Sequence, residues 1–165
     1  MFKRSVILIV GLLLLISCGG PQKDASGYWK SAKALADVGN YEGAIDQYNK
    51  ILKYYPSDSL APKSLLRIGE IKRSNTNQYQ GAIKTYKKFI NKYPKSPSSA
   101  NAMFMIGYVY ANDLKNQEEA RQAYKSFLDK YSDHELAPSA EWELKNLGKE
   151  LEDVIQADQL SEDKE

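Results

Sequence analysis

Cysteine is almost absent: Cys18 is the only one in 165 residues. One thiol cannot close an intrachain disulfide, so the folded state must be held by apolar packing. Histidine is as scarce, and His134, between Asp133 and Glu135, reads as a solvated turn residue. A single imidazole excludes His–His metal spacing, and with one cysteine and one histidine neither thiol nor imidazole pairs are available for nucleophilic work. No Gly-rich phosphate loop and no nucleic-acid signature occurs. A formal charge of only +2 gives no field to gather a polyanion. The paired carboxylates Glu118 and Glu119 fall at a helix start, where they serve the helix dipole. The expectation is no catalytic residue, no metal, no cofactor and no nucleic-acid partner. Long apolar runs are also missing. The single one, Val6 to Ile16, has 11 residues, against the roughly 20 that a membrane-spanning helix needs.

That run follows a basic head, Lys3 and Arg4, and leads into Ser17-Cys18, the layout of a secretory signal. Leu15-Ile16-Ser17-Cys18 resembles the lipobox of bacterial lipoproteins. The resemblance implies that Cys18 is acylated, palmitate-type, and becomes the first mature residue. The bland alternative is an uncleaved anchor that ends in an incidental cysteine. Loss of residues 1–17 removes only Lys3 and Arg4 and leaves a formally neutral chain. The expected organisation is a signal peptide over 1–17, a Gly-, Pro- and Ser-containing tether over 18–27, a helical domain over 28–155, and an acidic, aperiodic tail over 156–165.

The helical domain is built on a repeated stretch. In Tyr79 to Pro94, the residues Ala82, Ile83, Tyr86, Phe89, Ile90 and Tyr93 fall on one stripe of a 3.6-residue period, with lysines opposite. The same stripe stands at Ala44, Tyr48, Ile51 and Tyr55, and again at Ala120, Tyr124, Phe127 and Tyr131, in steps of 38 residues. A period in this range means stacked supersecondary units. Tyr55-Pro56 and Tyr93-Pro94 stop their helices. A preceding helix runs from about Tyr28 and stops at Gly39-Asn40, and partner helices are expected over Lys63 to Arg73 and Asn101 to Ala111. Asn112 to Asn116 is expected to be a loop, and Ser96-Pro97 an N-cap followed by the first helical residue. Gly69 and Gly107 recur at one repeat position, which predicts close approach of a neighbouring helix. The last helix, Pro138 to about Ile155, carries Glu141 and Lys145 where earlier copies have apolar residues and glycine. That polar substitution marks a capping helix.

The sequence Ala82, Tyr86, Phe89, Pro94, preceded by Gly69, resembles the tetratricopeptide repeat, with the extra residues in the loops. The resemblance implies an all-α, right-handed solenoid of about three helix pairs plus a C-terminal cap. The run from Ala82 to Ser96 behind a lipobox is similar to the BamD-type outer-membrane assembly lipoproteins, and also to the repeat domain of YbgF. These imply a lipid-anchored periplasmic scaffold for envelope proteins or peptide segments, in outer-membrane protein assembly. The alternative is a Tol-Pal or peptidoglycan-associated scaffold. An enzyme of unrecognised type is the third reading, against which the missing acid–base set counts. The oligomeric state is not specified.

Two sets of residues carry a sharper reading. Trp29, Leu66, Phe104 and Trp142 hold equivalent places in the first helix of each unit, and Tyr108 lies one turn beyond Phe104. In the repeat family that helix lines the groove where partners dock, so these are candidate anchors; ordinary packing between repeats explains the same spacing. Lys84, Lys87, Lys88, Lys92 and Lys95 have no acid between them. They form either a contact for anionic headgroups or a plain solvated face.

Overall fold

The computed structural model describes residues 20–149. The stretches expected to be a signal peptide and an acidic tail, and Cys18, lie outside these residues. Seven α-helices follow one another: α1 (Ala25–Asp37), α2 (Tyr41–Tyr54), α3 (Leu60–Ser74), α4 (Tyr79–Lys92), α5 (Ser98–Tyr108), α6 (Gln117–Tyr131) and α7 (Ala137–Asn146). A π turn, Val109–Asp113, extends α5. Each helix packs chiefly on its sequence neighbours, and α1 also touches α3. Short connections make consecutive helices antiparallel, so the pairs α1/α2, α3/α4 and α5/α6 stack as a solenoid with α7 closing the end.

Local chemistry sets the starts. The Asp24 carboxylate accepts from the Gly27 N–H at 2.6 Å, Asn40 from Gly43 at 3.0 Å, and Asn116 from Glu119 at 3.2 Å. These side chains satisfy amide donors that the first helical turn leaves unpaired. The Asp24 cap corrects one expectation: the helix begins at Ala25, so the extended lead-in ends at Asp24 and not at Gly27. At α3 the Asp58 carboxylate takes the Leu60 N–H at 2.7 Å, and Ser59 makes no capping bond. At α5 the cap position is Pro97 and the first helical residue is Ser98, one later than expected, with Ser96 Oγ accepting from the Ser98 N–H at 3.3 Å.

The other end of α5 holds a second correction. Residues Val109–Asp113 wind as a π turn, not as a loop from Asn112. The Leu114 N–H donates to the Val109 carbonyl five residues back at 2.9 Å. The turn delivers Asp113 to Arg73 of α3, whose Nε donates to the carboxylate at 2.7 Å. The capping helix is also shorter than expected. It ends at Asn146, because Leu147 leaves helical geometry (ψ 118°) and Gly148 takes φ +85°; residues 150–155 lie outside the described set.

The repeated stripe is the core. Ala44, Ala82 and Ala120 are fully buried, as are Ile51, Phe89 and Phe127, and Tyr48, Tyr86 and Tyr124 are buried beside them. Gly69 and Gly107 are close-approach sites. A methyl group on Gly69 would stand 2.7 Å from the Tyr86 ring, and one on Gly107 would stand 2.7 Å from the Tyr124 ring. The packing divides into an N-terminal cluster around α1 to α3 and a larger one from α3 to α7, with Leu52 touching both.

Candidate functional site

The first helices of the pairs share one face. Their order there follows from the repeat, with one adjustment. The α1–α2 connection, Val38 to Asn40, is one residue shorter than Asn75 to Gln78 between α3 and α4. Trp29 therefore matches Leu66 at a step of 37 and not 38. The packing agrees: Trp29 meets Tyr48 edge-on at 5.1 Å, and Phe104 meets the matching Tyr124 at 5.5 Å.

The candidate anchors are neither free nor fully buried. Trp29, Leu66 and Phe104 are half-buried, while Trp142 is 46 % exposed. Phe104 also lies against Phe127 at 5.9 Å, so part of its surface belongs to the core. Tyr108 is half-buried under the Arg73 guanidinium, 4.6 Å from its ring centroid. The structure thus brings Leu66, Phe104 and Tyr108 close to one region, with Trp29 and Trp142 towards the two ends of the row.

Between α3 and α5 the face opens into a cleft of about 250 Å³, lined by Leu66, Glu70, Arg73, Tyr86, Asn101 and Met105 among others. Of its lining residues only Leu66 was singled out from the sequence. Tyr86 reads there as a core stripe residue, and the partnership of Arg73 with Asp113 spans 40 residues. The one available signal was the spacing, a repeat length plus two. The Tyr86 hydroxyl is buried and bonds to no protein group. Burial raises its pKa to about 12, with Glu70 adding to the rise and Arg73 opposing it. Burial raises the Tyr124 hydroxyl as well, and the Glu143 carboxyl of α7 above the usual carboxylate range. The Arg73–Asp113 pair, only about one-fifth exposed, holds the Arg73 guanidinium at the cleft wall.

The lysine row is elsewhere. Lys84, Lys87, Lys88, Lys92 and Lys95 are all exposed. The first four follow the outward side of α4, and Lys87 also borders a cleft of about 380 Å³ floored by Ile90, Met103, Ile106 and Ala123. His134 is not the solvated residue expected. Its Nδ1 accepts from the Leu136 N–H at 3.1 Å, and its ring packs against Phe127 and Tyr131. Among the described residues no three His, Cys, Asp or Glu side chains gather as metal ligands, and no helix is long and apolar enough to cross a membrane.

The architecture is that of a tetratricopeptide-type helical-repeat domain. The N-terminal domain of stress-induced protein-1 (STI-1) from C. elegans superposes with a TM-score of 0.60 at 17% identity, over 73% of this chain and 94% of that one. At that identity the likeness speaks for the fold alone. Residues 21–153 match the YfiO family model, described as outer membrane lipoprotein, and the chain belongs to that family. No curated protein matches the sequence.

Proposed function

We propose that this chain is a lipid-anchored periplasmic scaffold for outer-membrane protein assembly, of the BamD type, and that Cys18 is its acylated N-terminus. The role is binding, not catalysis: partner segments lie along the first-helix face, with Trp29, Leu66, Phe104, Tyr108 and Trp142 as contact points. The observation that carries this reading is the row itself. Four large apolar side chains occupy matched places on α1, α3, α5 and α7, and all four keep surface exposed to solvent. A row of pure core residues would be sealed, as Ala44, Ala82 and Ala120 are. Membership of an outer membrane lipoprotein family supports the location and the anchor.

Photo-crosslinking from positions 66 and 142 in intact envelopes tests the partner. Recovery of a β-barrel assembly factor is the expected result. Recovery of a Tol-Pal or cell-wall synthesis factor instead would overturn it in favour of the YbgF-like alternative. Anchoring is read separately: Cys18→Ser leaves an unprocessed precursor that takes no label from fed fatty acid, and equal labelling of the variant would refute acylation at this residue.

A further inference from the structure

The described chain leaves the domain at a defined edge. The Tyr28 hydroxyl accepts from the Gln22 N–H at 3.0 Å, and the Tyr55 hydroxyl donates to the Lys23 carbonyl at 2.8 Å. Gln22 and Lys23 are thereby clasped at the start of α1 and the end of α2. Antiparallel stacking puts the ends of α2, α4 and α6 along this one edge. Pro62 at the start of α3 forms a cleft there with Lys92, Tyr93, Pro94, Lys95 and Ser96, so in the second pair the start of the first helix lies beside the end of the second.

Each of these helices ends in the same pair. Lys53 Nζ lies 5.0 Å over the Tyr54 ring, Lys92 Nζ 5.4 Å over Tyr93, and Lys130 Nζ 5.3 Å over Tyr131. The lysines are exposed and the tyrosine rings half-buried; the Tyr93 and Tyr131 hydroxyls turn inward, which leaves Tyr54 as the interfacial ring of the edge. Tyrosine and lysine are the side chains that settle at a headgroup layer, the ring at its apolar border and the ammonium among phosphates. The acids of this edge are unevenly spread. Asp24 and Asp58 are engaged in capping the starts of α1 and α3, the second unit has none in Tyr93 to Ser98, and the third has Asp129, Asp133 and Glu135. Positive charge is therefore least opposed at the two units beside the exit.

We propose that this edge, through Lys53, Tyr54, Lys92 and Lys95, lies against an anionic bilayer surface. The inference builds on the acylation of Cys18 argued above. Three residues, hence four residue-to-residue steps, separate Cys18 from the clasped Gln22, a reach of at most ~14 Å. The exit edge is thus held within about two Debye lengths of the headgroups at physiological salt. Of the lysine row on α4, only Lys92 and Lys95 stand on this edge; Lys84, Lys87 and Lys88 face outward along the helix.

Lysine footprinting tests the proposal on the acylated full chain in vesicles of phosphatidylcholine with and without phosphatidylglycerol. An amine-reactive label is read residue by residue by mass spectrometry. On anionic vesicles, labelling of Lys53, Lys92 and Lys95 falls severalfold, while Lys72 and Lys115 at the opposite edge label as in solution. The protection fades in ~1 M salt, where the Debye length is about 3 Å. Uniform labelling, protection of Lys72 and Lys115, or equal protection on zwitterionic vesicles overturns it. The intact mass reports acylation independently. If Cys18 carries no acyl chain, its thiol is coupled to a maleimide lipid and the same footprint decides the orientation alone.

Discussion

The second and third helix pairs stand on one frame and differ in what covers it. In both, a glycine of the first helix lets a tyrosine of the second pack at contact distance: Gly69 under Tyr86, Gly107 under Tyr124. Both bury an alanine and a phenylalanine on the same stripe. Above the tyrosine they diverge. The third pair places Phe104 against Tyr124 and Phe127. The second has Leu66 there, and a cleft remains beside it, with the Arg73–Asp113 pair and the Tyr86 hydroxyl in its surroundings. The repeat frame therefore sets the stack, and a change of one covering side chain decides whether a unit presents a filled surface or an opening.

The frame is the first thing to break, and the effect should be equal in both pairs. Phe89→Ala and Phe127→Ala each remove a fully buried ring and should cost ~3–5 kcal/mol by denaturant unfolding. A loss under about 1 kcal/mol in either would show that the two frames are not equivalent.

The link between the pairs comes next. Arg73→Ala leaves Asp113 half-enclosed without its partner and removes the cover of Tyr108. A hydrogen bond between charged groups is worth ~1.5–3 kcal/mol, so a loss near the lower bound is expected at this partly exposed site, together with faster amide exchange in the π turn. Unchanged exchange at Leu114 would detach the π turn from the ion pair.

Smaller is the glycine effect. In Gly69→Ala the new methyl meets the Tyr86 ring at 2.7 Å. Overpacking of ~1–3 kcal/mol is offset by a helix-propensity gain of up to ~1 kcal/mol. The net destabilisation should be about 1 kcal/mol, and Gly107→Ala should match it. A stabilised variant in one pair only would mean that its tyrosine has room to retreat.

The smallest effect concerns the tyrosine hydroxyls. The folded state raises the pKa of Tyr86 from its ordinary value near 10 to about 12. A raised folded-state pKa gives stability that is fully present below pH 10 and is lost as the pH climbs through 12. Tyr86→Phe should flatten part of that alkaline loss, and near pH 7 it should change stability by less than about 1 kcal/mol, because no protein group bonds to the hydroxyl. Identical alkaline curves for the variant and the parent would remove Tyr86 from the titration.

Much of the frame was legible in the sequence, because a helix that buries one stripe must repeat it every 3.6 residues. Ala82, Tyr86 and Phe89 gave the second helix of each pair, and Tyr55-Pro56 and Tyr93-Pro94 its end. Gly69 and Gly107 foretold close approach, although not that tyrosine rings would be the neighbours. What stayed hidden depends on contacts distant in sequence or on single caps. The π turn brings Asp113 to Arg73, a meeting that no local pattern announces. The start of α1 turns on one carboxylate, Asp24, and the early end of α7 on Leu147 and Gly148. Trp29 was legible as the α1 member of the row, although the shorter α1–α2 loop sets it 37 and not 38 residues before Leu66. The cleft beside Leu66 was invisible, since an opening is defined by what its neighbours fail to fill.

The clasp of Gln22 and Lys23 by Tyr28 and Tyr55 also sets how the domain answers a mechanical load. A pull applied at the N-terminus reaches those two hydrogen bonds first, then α1, which packs chiefly on α2 and also touches α3. Because each later helix is held mainly by its immediate neighbours, such a force is met as peeling, one helix after another, and not as the shear of a whole sheet. Slack can be released from α1 and α2 while the cluster from α3 to α7 keeps its shape, so the N-terminal end acts as the yielding segment and the far end as the grip.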